Sequence, residues 1–201
     1  MKVVYIPWSK AIRMCYKLAE KILKSEHGFD AVIAISRGGL IPARIVSDVL
    51  GIFELYTIRS RFWGIGETVA SEPLINISEE VSVKGKDVLI VDEVVDTGAT
   101  MSKIVKIVKK LGARKLKTAT LHYKSRSILI PDYYVEKVDR WVWIFYPWSF
   151  SETLFSLAKM RSYKDVVRGA SEIIKELGIS EVMLDFESLK LSLKAYSEEE
   201  T

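Results

Sequence analysis

An open, mostly parallel α/β sheet flanked by helices, followed by a C-terminal helical segment, is the architecture expected of this chain. Two observations carry that expectation. Over the first 150 residues, apolar runs of four to six residues alternate with amphipathic stretches of ten or more. After Trp148 the strand-like runs cease and helical periodicity takes over.

Val3–Ile6 is a short apolar run ended by Pro7. Ser9 can then cap a helix with Ile12, Cys15, Ala19 and Ile22 on one face and Gly28 beyond its end. Ala31–Ser36 reads as a buried strand, Leu40–Leu50 as a helix closed by Gly51, and Phe53–Ile58 as the next strand. Residues 59–80 lose every periodicity and read as one long loop, the kind of segment that serves as a lid. Asp87–Val91 (DVLIV) is apolar after its first residue, as a central parallel strand should be. A helix over Met101–Leu111 follows, its Lys103, Lys106, Lys109 and Lys110 read as a solvated face. Leu116–His122 and Trp141–Phe145 complete the strands. Ser151–Lys159, Tyr163–Leu177 and Phe186–Tyr196 read as helices, although LKLSLK in the last of them also alternates like a strand. The expected division is a core over residues 1–149 and a helical extension over 150–201.

Composition narrows the function classes. Of 201 residues, 49% are hydrophobic and 28% charged, which excludes a disordered chain or a collagen-like fibre. No apolar run approaches the ~18 residues of a membrane span, and the N-terminus has no secretory pattern. Cys15 stands alone and cannot form an internal disulfide, so a cytoplasmic location is expected. The net charge of +4 is split unevenly, with +7 over residues 1–150 and −3 over 151–201. A basic body suits a polyanionic ligand.

The most informative stretch is Val88–Met101, VLIVDEVVDTGATM. A buried strand ends in two adjacent acids, Asp92 and Glu93, followed by Asp96-Thr97-Gly98-Ala99-Thr100 and a helix. In open parallel sheets, ligands bind beyond the carboxyl ends of the strands. Gly98 permits close backbone approach, Thr97 and Thr100 offer hydroxyls, and the first N–H groups of the helix face an anion. Such a loop cradles one phosphate group, while the acids before it suit vicinal sugar hydroxyls. The Walker pattern and the dinucleotide GxGxxG are both absent. A second turn, Ser36-Arg37-Gly38-Gly39, lies between an earlier strand and its helix, and combines a tight backbone with one cation suited to pyrophosphate.

VLIVDEVVDTGAT resembles the phosphoribosyl-pyrophosphate (PRPP) motif of type I phosphoribosyltransferases, and SRGGLIP resembles the pyrophosphate loop of the xanthine-guanine and hypoxanthine-guanine members. The resemblance covers roughly residues 1–150. It implies that Asp92 and Glu93 hold the ribose hydroxyls, and that Asp96, Thr97, Gly98, Ala99 and Thr100 bind the 5′-phosphate. Ser36, Arg37, Gly38 and Gly39 would bind pyrophosphate. Asp96 would exchange a proton near N7 of a purine, and Arg37 would assist the departing charge, making these two the catalytic residues. Lys124 would contact an exocyclic oxygen, and the stretch IPDYYVEKVDRWVWIFYPW resembles the base-binding hood, with Trp143 stacking on the base and Ile144 beside it. Trp141 and Trp148 fit hood and core packing equally. Arg59 and Arg61 would belong to the lid.

The implied reaction is transfer of ribose 5-phosphate from PRPP to a purine base, releasing pyrophosphate. Mg²⁺ is the implied cofactor, held mainly through the substrate rather than by a protein ligand cluster. A homodimer is implied as well, with no membrane partner and no nucleic acid. The helical extension resembles adenine phosphoribosyltransferases of crenarchaeal type, and on that resemblance adenine is the favoured base. Lys124 points to hypoxanthine, guanine or xanthine instead. A regulator that senses PRPP and binds nucleic acid is the rival class, recognisable by a steep salt dependence of nucleic-acid binding. His27, His122 and Cys15 read as structural.

Overall fold

The computed structural model describes residues 2–61, 72–77, 81–180 and 184–198, without the side chains of Arg61 and Glu198. Contacts divide the chain into two compact units. One lies within residues 12–141, and the other joins the residues up to Ala11 to those from Val142 on.

Six strands form the main sheet: β2 (Ala31–Ser36), β3 (Leu55–Arg61), β4 (Leu74–Ile77), β5 (Asp87–Val95), β6 (Lys115–Lys124) and β7 (Tyr133–Val138), in the order β4-β3-β2-β5-β6-β7. All pairings are parallel except β3–β4. The fold is therefore the mostly parallel, helix-flanked sheet expected. β2 is buried from Ala31 to Ile35 and β5 from Val88 to Val91, so side chains there serve both faces of the sheet. On one face, Ile33, Ile35, Val88 and Ile90 pack with Met101, Ile104 and Val108 of helix α3 (Ala99–Lys110). Helix α2 (Leu40–Val49) packs on β2 and β5.

From β2 the chain moves outward to β3 on one side, and from β5 to β6 on the other. The carboxyl ends of β2 and β5 therefore flank the point where the winding reverses, which is where open α/β sheets bind ligands. This topology positions the site.

Several boundaries depart from expectation. Helix α1 (Trp8–Leu23) begins before Ser9, which lies in its first turn rather than capping it. Its end is turned by Glu26, at φ 57°, ahead of Gly28. Residues 59–80 are not one loop: Arg59 and Arg61 lie in β3, and Leu74–Ile77 pairs antiparallel with that strand, Ile58 opposite Ile77. The four-residue alternation LINI is too short to register as periodicity, and only the β3 edge makes it a strand. The remainder of the expected lid, 62–71 and 78–80, lies outside the described residues. β7, rich in Tyr and Val, is a further strand, lying within the stretch that resembles a hood. Asp132 pins its start by accepting from the Thr118 N–H at 2.8 Å.

In the other unit, β1 (Val3–Tyr5) and β8 (Trp143–Phe145) form a separate parallel pair, with Val3 opposite Trp143 and Val4 opposite Ile144. A 3₁₀ turn at Pro147–Ser149 leads to α4 (Phe150–Met160), α5 (Val166–Glu176) and α6 (Phe186–Glu198). Phe145, Leu154, Phe155, Ile173, Leu189 and Leu193 share one core there. LKLSLK is helical, because Leu189 and Leu193, four residues apart, both enter that core. The Asp165 carboxylate caps α5, accepting from the Arg168 N–H at 3.0 Å.

Candidate active site

β5 runs four residues further than expected, through Val95. Asp92 and Glu93 thus sit on its last, still paired turn of sheet, with Asp92 opposite Thr120 and Val94 opposite His122. A small cleft follows directly and is lined by Asp92, Val94, Asp96, Thr97, Gly98 and Thr100 among others. Gly98 adopts φ 82° and forms the N-cap of α3. A Cβ there would collide with the Ser127 hydroxyl and lie 2.9 Å from the Leu129 amide nitrogen. The 127–129 segment in turn holds the loop, since the Ile128 N–H donates to the Thr97 carbonyl at 2.9 Å. The first turn of α3 has N–H groups without an intrahelical partner, the property an anion site uses, although the Ala99 N–H donates to Thr97 Oγ1 at 3.4 Å.

The second turn meets the first. A Cβ on Gly38 would stand 2.5 Å from the carboxyl carbon of Glu93, so the absent side chain lets the turn lie against that acid. Gly39 is tighter still, with its missing Cβ 2.5 Å from the Val91 carbonyl oxygen and 2.7 Å from that of Ile35. Its N–H donates back to the Ile35 carbonyl at 2.8 Å. The Ser36–Arg37 peptide bond is cis. Arg37 is exposed. Arg59, opposite Ser36 in the β2–β3 register, is exposed on the neighbouring strand.

The acids differ electrostatically. Burial, and then the charge of adjacent Glu93, push the Asp92 carboxyl well above the usual carboxylate range, against one stabilising bond from the Glu93 N–H at 2.8 Å. Asp96, whose side chain is 10% exposed, carries two cations. Lys124 Nζ bonds its Oδ2, and Arg126 Nη2 donates to its Oδ1 at 2.9 Å. Lys124 is buried at the end of β6, where the continuing β5–β6 register brings it beside Asp96. Burial lowers its ammonium pKa; the bond to Asp96 opposes that, and the charge of Arg126 adds to it. Both cations lie over the Trp141 ring, Lys124 Nζ at 5.1 Å and Arg126 Cζ at 5.4 Å from its centroid.

Asp92, Glu93, Asp96–Thr100, Ser36–Gly39 and Lys124 are thus gathered at one end of one sheet. Trp143 and Ile144 belong to the other unit, in β8. The side chain of Arg61 lies outside the described set. Arg126 is the residue that sequence reasoning missed. Its signal was a basic pair two apart at a strand end, with an acid on the neighbouring parallel strand. Trp141 resolves as the partner of that pair. His122 is buried, with Nε2 3.4 Å from the Glu136 carboxylate. Cys15 is buried as well, its thiol pushed up to about 12 chiefly by that burial. Among the described residues, no helix is long and apolar enough to cross a membrane.

A strand-end acid pair with its glycine loop and a glycine-rich turn carrying one arginine meet at the switch point of a parallel sheet, the place where α/β enzymes bind their ligands. A family model described as "Phosphoribosyl transferase domain" matches residues 7–153, and the chain belongs to that family of pentosyltransferase enzymes. The match ends inside α4. Xanthine-guanine phosphoribosyltransferase of Gluconobacter oxydans (strain 621H) is 29% identical over 143 residues, which are 71% of this chain and 82% of that protein. Purine phosphoribosyltransferase from Pyrococcus horikoshii Ot3 aligns with TM-score 0.63 and 40% identity, covering 74% of this chain and 94% of that one. A Neisseria gonorrhoeae protein solved with bound ppGpp aligns with TM-score 0.63 and 31% identity, over 74% of this chain and 90% of that chain.

Proposed function

We propose that this protein is a purine phosphoribosyltransferase whose acceptor is a 6-oxopurine. It would transfer ribose 5-phosphate from PRPP to a ring nitrogen of hypoxanthine, guanine or xanthine and release pyrophosphate. The observation that carries the choice of base is the buried Lys124 beside Asp96 at the cleft. An ammonium group only donates hydrogen bonds and a carboxylate only accepts them. Together they complement a ring edge with an exocyclic oxygen next to an N–H. The 6-amino group of adenine would turn a donor toward the ammonium, leaving a buried donor unmet at about 1–3 kcal/mol. The name of the G. oxydans relative fits this reading, and that of the P. horikoshii relative fits the purine class. The adenine preference suggested by the helical extension has no comparable support.

In this reading Asp92 and Glu93 hold the ribose hydroxyls, and Asp96–Thr100 hold the 5′-phosphate with the N–H groups of α3. Ser36, Arg37, Gly38 and Gly39 receive the pyrophosphate. The bond from C1′ to the pyrophosphate oxygen breaks as the bond from C1′ to the base nitrogen forms, and Asp96 takes the proton the purine gives up. Arg37 and the N–H groups of its turn neutralise the departing charge. Arg59, exposed on β3, acts at the pyrophosphate. The adjacent carboxylates of Asp92 and Glu93 are hard oxygen donors that fit Mg²⁺ held largely by substrate oxygens, and Mg²⁺ when bound would neutralise pyrophosphate charge. The protein works as a cytoplasmic homodimer.

The test is a parallel assay with PRPP, Mg²⁺ and adenine, hypoxanthine, guanine or xanthine. At least tenfold higher kcat/KM for a 6-oxopurine than for adenine is expected. Preference for adenine overturns the choice of base, and turnover of orotate or uracil alone overturns the purine class.

A further inference from the structure

We propose that Arg126 is a positioning residue that keeps hold of the Asp96 carboxylate when Lys124 leaves it for the exocyclic oxygen of the base. The inference rests on the 6-oxopurine reading and adds to it a residue which that reading does not use.

Asp96 is shared: Oδ2 is engaged by Lys124 and Oδ1 by Arg126, on separate oxygens. Lys124 drawn toward a base gives up part of its hold on a carboxylate only 10% exposed. Leaving a buried charge without a partner is among the costliest local events in a protein. Arg126 removes that cost. Its guanidinium approaches from the turn after β6, with the side chain 48% exposed, and it touches the acid from the opposite oxygen. Before binding, the cluster contains two cations and one anion, an excess of one positive charge. Once Lys124 turns to a neutral base, Asp96 and Arg126 remain as a balanced pair.

Trp141 lies beneath both cations, at 5.1 and 5.4 Å from the ring centroid. It offers the extra positive charge a favourable surface before the base arrives. An ordinary surface ion pair has neither a buried acid nor a second, displaceable cation on the same carboxylate.

Arg126→Met and Arg126→Lys separate the possibilities, since the half-exposed position on a turn lets both variants fold. In Arg126→Met, Lys124 becomes the sole partner of Asp96, and drawing it away opens a buried pair. The KM for hypoxanthine or guanine is expected to rise by about three- to tenfold, the range for one charged contact to a half-exposed arginine. The KM for PRPP stays within about twofold, since the variant changes a partner of the Asp96 carboxylate and leaves the pyrophosphate turn, the ribose acids and the backbone N–H groups of the phosphate loop in place. Arg126→Lys restores most of the base affinity.

A readout independent of turnover is the titration of Lys124 in the ligand-free protein, followed by NMR of ¹³Cε-labelled lysine. The charged groups facing it are Asp96 and Arg126, so its titration should move upward in Arg126→Met and stay near wild type in Arg126→Lys. An unmoved Lys124 titration together with an unchanged base KM in an active enzyme overturns the hand-off alone. Absence of turnover with every 6-oxopurine removes the proposed function and the hand-off together. Equal rises in the KM for base and PRPP assign Arg126 a general structural role and also overturn the proposal.

Discussion

Alanine at Gly39 and alanine at Gly38 should produce opposite phenotypes, although the residues are neighbours in one turn. The Cβ of Gly39→Ala would lie 2.5 Å from the Val91 carbonyl oxygen, 2.7 Å from the Ile35 oxygen and 3.0 Å from the Ile35 nitrogen. Carbon and oxygen ordinarily approach to about 3.3–3.6 Å. The obstructing atoms are main chain of β2 and β5, which pair with each other and with a further strand on either side. They cannot retreat, so the turn must lift and stretch the 2.8 Å Gly39–Ile35 bond. Overpacking costs about 1–3 kcal/mol and a weakened bond about 0.5–1.5 kcal/mol, giving a loss of roughly 2–4 kcal/mol. At about 2–4 °C per kcal/mol for a chain of this length, the melting temperature should fall by roughly 5–15 °C. Gly38→Ala instead meets the end of the Glu93 side chain, 2.5 Å from its carboxyl carbon. That side chain can swing aside, so stability should fall by less than about 1 kcal/mol. The displaced carboxylate then weakens PRPP use, raising its KM at least fivefold. Thermal melts by circular dichroism and steady-state kinetics on both variants test the pair. A Gly39→Ala melt within 2 °C of wild type, or equal losses of stability in the two variants, refutes the reasoning.

Asp92→Asn should stabilise the fold at neutral pH. Its native carboxyl is held above the ordinary value of 3.8, so the unfolded chain gives up that proton at lower pH than the folded one. Stability is undiminished below that value, falls as pH rises through it toward the native pKa, and stays lower beyond. The variant escapes this loss, so its melting temperature should exceed wild type at pH 7, with the difference vanishing below about pH 3. Asp92→Asn combined with Glu93→Gln should abolish transfer while keeping the circular dichroism spectrum; a near-wild-type kcat/KM would remove the ribose assignment. Gly98→Ala forces a side chain into φ 82° and against Ser127 and Leu129, and should cost about 1–3 kcal/mol in urea unfolding. Cys15, with its thiol at about 12, should give no reaction with Ellman's reagent in the native protein at pH 8 and one equivalent in denaturant.

The acid pair and glycine loop of the candidate site were legible from local chain alone. Asp92, Glu93 and Asp96–Thr100 are contiguous, and a buried strand, an acid pair, a left-handed glycine and a helix start each leave a signature in consecutive residues. The Ser36–Gly39 turn was legible for the same reason, being a strand end followed by two glycines. Strands such as Ala31–Ser36, which are apolar on both faces, announce a central place in a parallel sheet.

Other features were not local and could not be read that way. Arg126 gains its meaning only because the β5–β6 register sets Lys124 beside Asp96, 28 residues away in the chain. β4 is a strand only because β3 offers it an edge, and LKLSLK is a helix only because Leu189 and Leu193 meet a core built by α4 and α5. Composition and spacing along the chain determined which chemistry was present, because covalent neighbours share a strand end or a loop whatever the fold does. Tertiary structure alone decided which charges share a carboxylate and which glycine faces main chain rather than a movable side chain. Those depend on distances between residues the chain does not connect.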